Sequence, residues 1–256
     1  MAFDMSNITF IKPGGAILLL LMCKQVWGKT LCKVRLDNLR FNVQSYLNRI
    51  DFFKNDFVYT NDRLSLWSKF GRNDRSLSVI EITRILNPMD VAKFRETAKT
   101  ITNKWFPGDN LKPEREKFST MIMEICNNSL EHSTGSEEMG ECYGLLQVYS
   151  HSEKPEISVS IGDLGIGIRT HLKKKYSWVY NSDSATIKKV LEGLSGRLDG
   201  TGGMGIPFIK NTTVELKGTL IIRSGRGIVS VGNMAKTSEF VGSFPGTQYQ
   251  IILNKK

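Results

Sequence analysis

Apolar positions along the chain change their spacing several times, and each change predicts an element. Ala16 to Cys23 is an unbroken apolar run, introduced by Pro13-Gly14-Gly15, and predicts a buried strand or helix. Cys32 to Leu36 alternates apolar and polar residues like a short strand. Between Asn42 and Ile50, the residues Val43, Tyr46, Leu47 and Ile50 share one helical face that ends near Phe52-Phe53. These segments predict a small α/β unit at the start of the chain. The polar stretch from Thr60 to Ser76 reads as a loop or hinge, and Ser78 to Thr83 as a short strand. After a break at Asn87-Pro88, Val91, Phe94, Ala98 and Ile101 mark a helix from Val91 to Trp105, interrupted by Phe106-Pro-Gly-Asp109.

From Pro113 to about Glu131, Phe118, Ile122, Ile125 and Ser129 recur at helical spacing. Beyond Gly135 the period drops to two. Leu145 to Tyr149 and Ile157 to Ile161 then read as an antiparallel hairpin. Thr219–Arg223, Ile228–Val231 and Tyr249–Leu253 predict three further strands. A helix, a hairpin, a loop-rich middle and a meander together imply an α+β sandwich with helices on one face of a mixed sheet.

The 256 residues suffice for a sizeable core, and 40% apolar with 23% charged residues is ordinary for a globular chain. No repeat or low-complexity tract points to a solenoid or a disordered protein. The formal charge of +10 leaves nucleic acid open as a partner. The basic residues are nonetheless scattered, apart from Lys173-Lys174-Lys175 and Lys255-Lys256, as on a solvated surface. The apolar run near residue 20 is about eight residues long, against the roughly 20 that span a bilayer. With Asp4 and a single Lys12 before it, the run also lacks the basic start of a signal peptide. Cys23, Cys32, Cys126 and Cys142 match no zinc or redox spacing, and reduced thiols in a cytoplasmic protein are the expectation.

Three segments carry candidate chemistry. In Glu124-Ile-Cys-Asn-Asn128, the Glu and the second Asn are one helical turn apart and project from one face. Asn128 offers a hard oxygen ligand for Mg²⁺, and Glu124 a carboxylate able to accept a proton from an attacking water or hydroxyl. Asp163-Leu-Gly-Ile-Gly167 follows a strand, and its glycines allow a ligand to approach the backbone; a turn is the plain alternative. Gly200-Thr-Gly-Gly-Met-Gly205 precedes an apolar stretch that can open a helix, where free amides favour phosphate. It lacks the Gly-Lys-Ser/Thr ending of a P-loop, and no dinucleotide fingerprint is present.

In that order, residues 113 to 254 resemble the GHKL superfamily, the histidine-kinase-like ATP-binding domain shared with gyrase B and MutL. Glu124 to Ser129 looks like its N box, Asp163 to Ile168 its G1 box, and Gly203-Met204-Gly205-Ile206 its G2 box, while Gly246-Thr247 matches its Gly-Thr pair. Gly193 to Arg197 looks like the hinge of an ATP lid. The resemblance implies a Bergerat-type two-layer α/β sandwich that binds Mg²⁺ and ATP. It implies Asn128 as metal ligand and Asp163, with Thr247, as the adenine anchor. Gly165, Gly167, Gly202, Gly203, Met204 and Gly205 would shape the nucleotide site, and a lid between Ile168 and Gly203 would order around the phosphates. The extra glycine at Gly202-Gly203 departs from the family pattern by one position.

Phe10 to Leu19 and Val43 to Phe53 are similar to STAS-like segments found ahead of such ATPase domains. This divides the chain into an interaction unit at 1–75 and an ATP-binding unit at 76–256. The implied activity is ATP hydrolysis or transfer of the terminal phosphate with Glu124 as general base, coupled to a protein partner through the first unit or the lid. Alternatives are a serine or threonine kinase resembling anti-sigma-factor kinases, or an ATP-gated module without turnover. A sensor histidine kinase fits poorly, because no histidine precedes His132. A homodimer is compatible with either activity.

Overall fold

A computed structural model describes residues 1–61, 78–132, 140–150, 154–176, 182–196 and 203–254. It is a mixed α/β structure with two sheets. Strands β1 (Ala2–Asp4), β2 (Val34–Asp37) and β3 (Val58–Tyr59) form a parallel sheet in that order. Helices α1 (Pro13–Thr30) and α2 (Phe41–Arg49) make its crossovers. The larger sheet contains β4 (Val79–Ile85), β5 (Cys142–Tyr149), β6 (Glu156–Gly162), β7 (Thr219–Gly232) and β8 (Lys236–Asn254), in the order β4-β5-β6-β8-β7.

Every pairing in the larger sheet is antiparallel, which corrects the expectation of a mixed sheet. The reason is connectivity. Two helices, α3 (Pro88–Thr102) and α4 (Lys112–His132), lie between β4 and β5 and carry the chain out and back. The pairs β5–β6 and β7–β8 are direct hairpin partners. The two strands expected within Thr219 to Val231 are one, because register shifts around Gly225 and Gly227 absorb the irregularity as a bulge.

The apolar run near residue 20 is the middle of α1. Pro13 presets its first turn, and Leu31 ends it in the left-handed region with its amide donating to the Trp27 carbonyl at 2.7 Å. Ala16, Ile17, Leu20 and Leu21 form a buried stripe against the large sheet, where Ile17 and Leu21 reach Gly162 of β6. Gly14 sits so close to β8 that a Cβ there would lie 2.2 Å from the Gln250 side-chain oxygen. The expected arrangement of helices on a single face is therefore incomplete. Helices α3, α4 and α7 (Gly205–Glu215) bury Phe94, Phe118, Ile122, Ile125 and Ile209 against Leu146, Val159, Ile161, Leu220 and Ile251. On the other face α1 buries Tyr143 and Leu145. Nearly every residue of β5 and β6 is buried, so both faces of these central strands are covered.

α3 starts where Pro88 follows Asn87, whose side-chain oxygen accepts from the amides of Met89 and Asp90. Two short helices, α5 (Gly167–Lys173) and α6 (Asp183–Leu191), lie between β6 and α7. The boundary expected at 75/76 and most of the loop from Thr60 to Ser76 fall outside the described residues. Among the described residues, no helix is long and apolar enough to cross a membrane.

Candidate functional site

α4, the β6–α5 turn, the start of α7 and the end of β8 enclose a cavity of about 290 Å³. That is near the lower end of the roughly 300–1,000 Å³ usual for small-molecule sites. Ile125, Cys126 and Leu130 anchor α4 in the core, which turns Glu124 and Asn128 toward the cavity. Gly205 opens α7 against them. A Cβ at Gly205 would sit 2.9 Å from Glu124 Oε2 and 3.7 Å from Asn128 Nδ2, so glycine allows the close approach. Asn128 Nδ2 is buried with no hydrogen-bond partner among the described residues. An orphaned buried amide in a cavity wall suits a ligand that supplies the missing bond.

Asp163, just beyond β6, also lines the cavity and is only 3% exposed. Its Oδ1 accepts from the amides of Gly165 at 2.9 Å and Thr247 at 3.1 Å. Burial pushes its carboxyl up to about 6, against the pull of those two amides and of the Ser129 hydroxyl. The Asp163 amide in turn donates to the Thr247 carbonyl at 2.9 Å. Gly246 makes this clasp possible: its φ is +80°, and a Cβ there would lie 2.1 Å from the Asp163 carbonyl oxygen.

Ser224 of β7 completes the frame and is not apparent from the sequence, since nothing near it marks a functional position. Its buried Oγ accepts from the Ile168 amide at 2.9 Å and donates to the Gly246 carbonyl at 3.0 Å, tying α5 to β8. His171 and Leu172 of α5 also line the cavity, and a Cβ at Gly196 would lie 2.4 Å from the His171 ring. Ile168, Val190, Leu194, Ile206 and Tyr249 give the cavity an apolar wall. The cavity thus combines a buried acceptor, an apolar wall, and a carboxylate beside an amide.

Comparison with protein-family models gives no match for this chain. A search of curated proteins also finds none.

Eight of the residues singled out by sequence line the cavity: Glu124, Asn128, Asp163, Gly167, Gly203, Met204, Gly205 and Thr247. Met204 is at its rim with 74% of its surface exposed, and Gly165 shapes it through its amide. Gly202 lies outside the described residues, as do Gly200 and Arg197. Gly193, the expected hinge, packs against Gly203, where a Cβ would lie 2.7 Å from the Gly193 carbonyl oxygen. Lys173 and Lys174 are exposed and line no part of this cavity.

α6, in the expected lid, is held at its start by the β7–β8 ribbon. Glu239 Oε1 accepts from the Ser182 hydroxyl at 2.6 Å and the Ser184 amide at 2.7 Å, and Asp183 Oδ2 accepts from the Arg226 amide at 2.8 Å. Among the described residues, no group of three or more His, Cys, Asp or Glu side chains is placed to hold a metal. A Mg²⁺ ion at this site would draw on Asn128, water and ligand oxygens, which suits its preference for keeping several waters.

Proposed function

We propose that the chain is a GHKL-type ATP-binding protein of Bergerat-type fold that hydrolyses ATP or transfers its terminal phosphate. One observation carries this reading: Glu124, Asn128 and Gly205, which approach one another closely, line the same cavity as the buried Asp163–Thr247 clasp. Oδ1 of Asp163 is taken by two amides, which leaves Oδ2 to accept an amino group such as that of adenine. The apolar wall accepts the faces of a heterocycle. Gly205, at the start of α7, offers backbone amides to phosphate without a side chain in the way.

At the phosphate end, the Asn128 side chain would hold Mg²⁺, which when bound neutralises phosphate charge and fixes phosphate geometry. Glu124, on the same face one turn away, receives the proton of the attacking water or hydroxyl. Between Gly167 and Gly203, Leu172, Val190 and Leu194 contribute apolar lining to the cavity.

The test is incubation of the purified chain with γ-labelled ATP and Mg²⁺, beside Glu124→Gln. Free phosphate from the wild type alone supports hydrolysis. Acid-stable label on protein supports transfer to serine or threonine. Nucleotide binding with no product in either protein leaves an ATP-gated module, and no binding at all refutes the reading.

A further inference from the structure

A second cleft lies on the far side of α5, and the nucleotide reading does not use it. It measures about 290 Å³ and is lined by Arg169, Thr170 and Lys173 of α5, Asp183 of α6, Arg226 of β7, and the β8 segment from Ser243 to Gly246. Gly167 borders both cavities, so the first turn of α5 is the partition between them. Three cationic side chains face this cleft and one carboxylate answers them.

That carboxylate is already engaged. Asp183 accepts from the Arg226 amide at 2.8 Å and pairs with Arg169 Nη1 at 3.7 Å. A Cβ at Gly225 would lie 2.6 Å from Asp183 Oδ2, so the glycine lets this side chain seat against the ribbon. Arg226 is oriented by its Nε, which donates to the Phe240 carbonyl at 2.7 Å. The Nε of Arg169 is buried and has no hydrogen-bond partner among the described residues. Lys173 is exposed one turn further along the same helix face. Like charges at this spacing repel unless an anion sits between them. Arg226 also lies near the Glu239 carboxylate, so the surplus positive charge is on the α5 side of the cleft, beside an unused buried donor.

We propose that this cleft binds a phosphate monoester in its dianionic form. A carboxylate offers only two acceptor oxygens. A phosphate dianion offers three, to the Arg169 fork, the Lys173 ammonium and the Thr170 hydroxyl, with charge to match both cations of α5. The space exceeds what phosphate alone needs and leaves room for the esterified group. The ester can be a free small molecule or a phosphoserine side chain presented by a protein. The proposal does not depend on the nucleotide reading.

The experiment is titration calorimetry of the full chain at pH 7.5 with O-phosphoserine, its sulfate-ester analogue, and a short phosphoserine peptide. Phosphoserine should bind at least about tenfold tighter than the monoanionic sulfate ester, because the second phosphate pKa is near 6. Lys173→Gln, a surface change that leaves folding intact, should weaken phosphoserine at least about tenfold, and Arg169→Gln should do so again. Asn128→Ala, in the other cavity, should leave it unchanged. A peptide that binds tighter than the free amino acid identifies a protein source, and equal affinity a small metabolite. Absence of binding, equal affinity for the sulfate ester, or indifference to Lys173→Gln overturns the proposal. Binding lost in Asn128→Ala but retained in Lys173→Gln would place the phosphate in the first cavity, refuting the cleft without touching the nucleotide reading.

Discussion

Asp163 and Thr247 are bonded twice: the Thr247 amide donates to Asp163 Oδ1 at 3.1 Å, and the Asp163 amide donates to the Thr247 carbonyl at 2.9 Å. The pair joins the end of β6 to β8 and fixes one carboxylate in a buried wall. The amides favour the ionised form, but burial outweighs them, and the carboxyl rises to about 6.

Asp163→Asn keeps the Oδ1 acceptor but replaces the second oxygen with a donor. ATP affinity should fall at least about tenfold, the loss expected for one charge-assisted hydrogen bond. Titration calorimetry checks this, and unchanged affinity would remove Asp163 as the adenine anchor.

The same group sets a pH dependence of stability. Its folded value, about 6, is above the ordinary value of 3.8 for the unfolded chain, so the folded state holds the proton more tightly. The stability this contributes is fully present below the unfolded value and is lost as pH rises through about 6. Urea denaturation should show Asp163→Asn more stable than the wild type at pH 7, by on the order of 1–3 kcal/mol. The gap should close toward pH 4. Nucleotide affinity should run the other way, weakening as pH falls from 7 to 5, because the acceptor becomes protonated.

Gly246→Ala and Gly205→Ala should differ in kind. At Gly246 the φ is +80° and the new methyl would strike main-chain atoms of Asp163, so nothing flexible can yield. Stability should drop by at least about 2 kcal/mol, read from the denaturation midpoint. At Gly205 the nearest atom is the end of the Glu124 side chain at 2.9 Å, which can swing away. That variant should keep its stability to within about 1 kcal/mol while losing turnover. Equal destabilisation by both changes would contradict the geometry.

Ser224→Ala removes a hydroxyl that is buried and bonded on both sides. The Ile168 amide and the Gly246 carbonyl lose a partner, at a cost of about 1–3 kcal/mol. Amide hydrogen exchange should quicken at the start of α5 more than in β6.

Among the cysteines, Cys32 alone is exposed, while Cys23, Cys126 and Cys142 are buried. Burial pushes the Cys23 thiol up to about 12, and contact with Cys126 together with burial pushes Cys142 well up. An aromatic disulfide reagent at pH 8 should label Cys32 rapidly in the native protein and the others only on unfolding. Fast labelling of a second thiol would show that the core opens.

Elements whose signal is local were legible in the sequence. The spacing of Phe118, Ile122 and Ile125 placed α4 and hence the shared face of Glu124 and Asn128. The two-residue period around Leu145 and Val159 placed the central hairpin. Where the signal is tertiary, it failed. Nothing along α1 says which sheet its apolar stripe covers, because the answer lies in Gly162 and Gln250 far along the chain. Gly225 and Gly227 read as a break between strands, whereas they let β7 press against the start of α6. Ser224 and His171 sit in polar stretches with no periodicity, and only the fold brings them to the cavity.

The back of the large sheet has its own consequence. Ser158, Ser160, Gln248 and Gln250 point away from the cavity, and the Gln248 side chain donates to the Gly14 carbonyl at 2.6 Å. On the same strand the neighbouring Thr247 and Tyr249 belong to the cavity wall. α1 and that wall therefore press on opposite sides of one peptide ribbon less than a nanometre thick. A fragment lacking the first 60 residues would bare Tyr143, Leu145 and this polar row together. Any force applied to α1 has only the thickness of β8 to cross before it reaches Asp163.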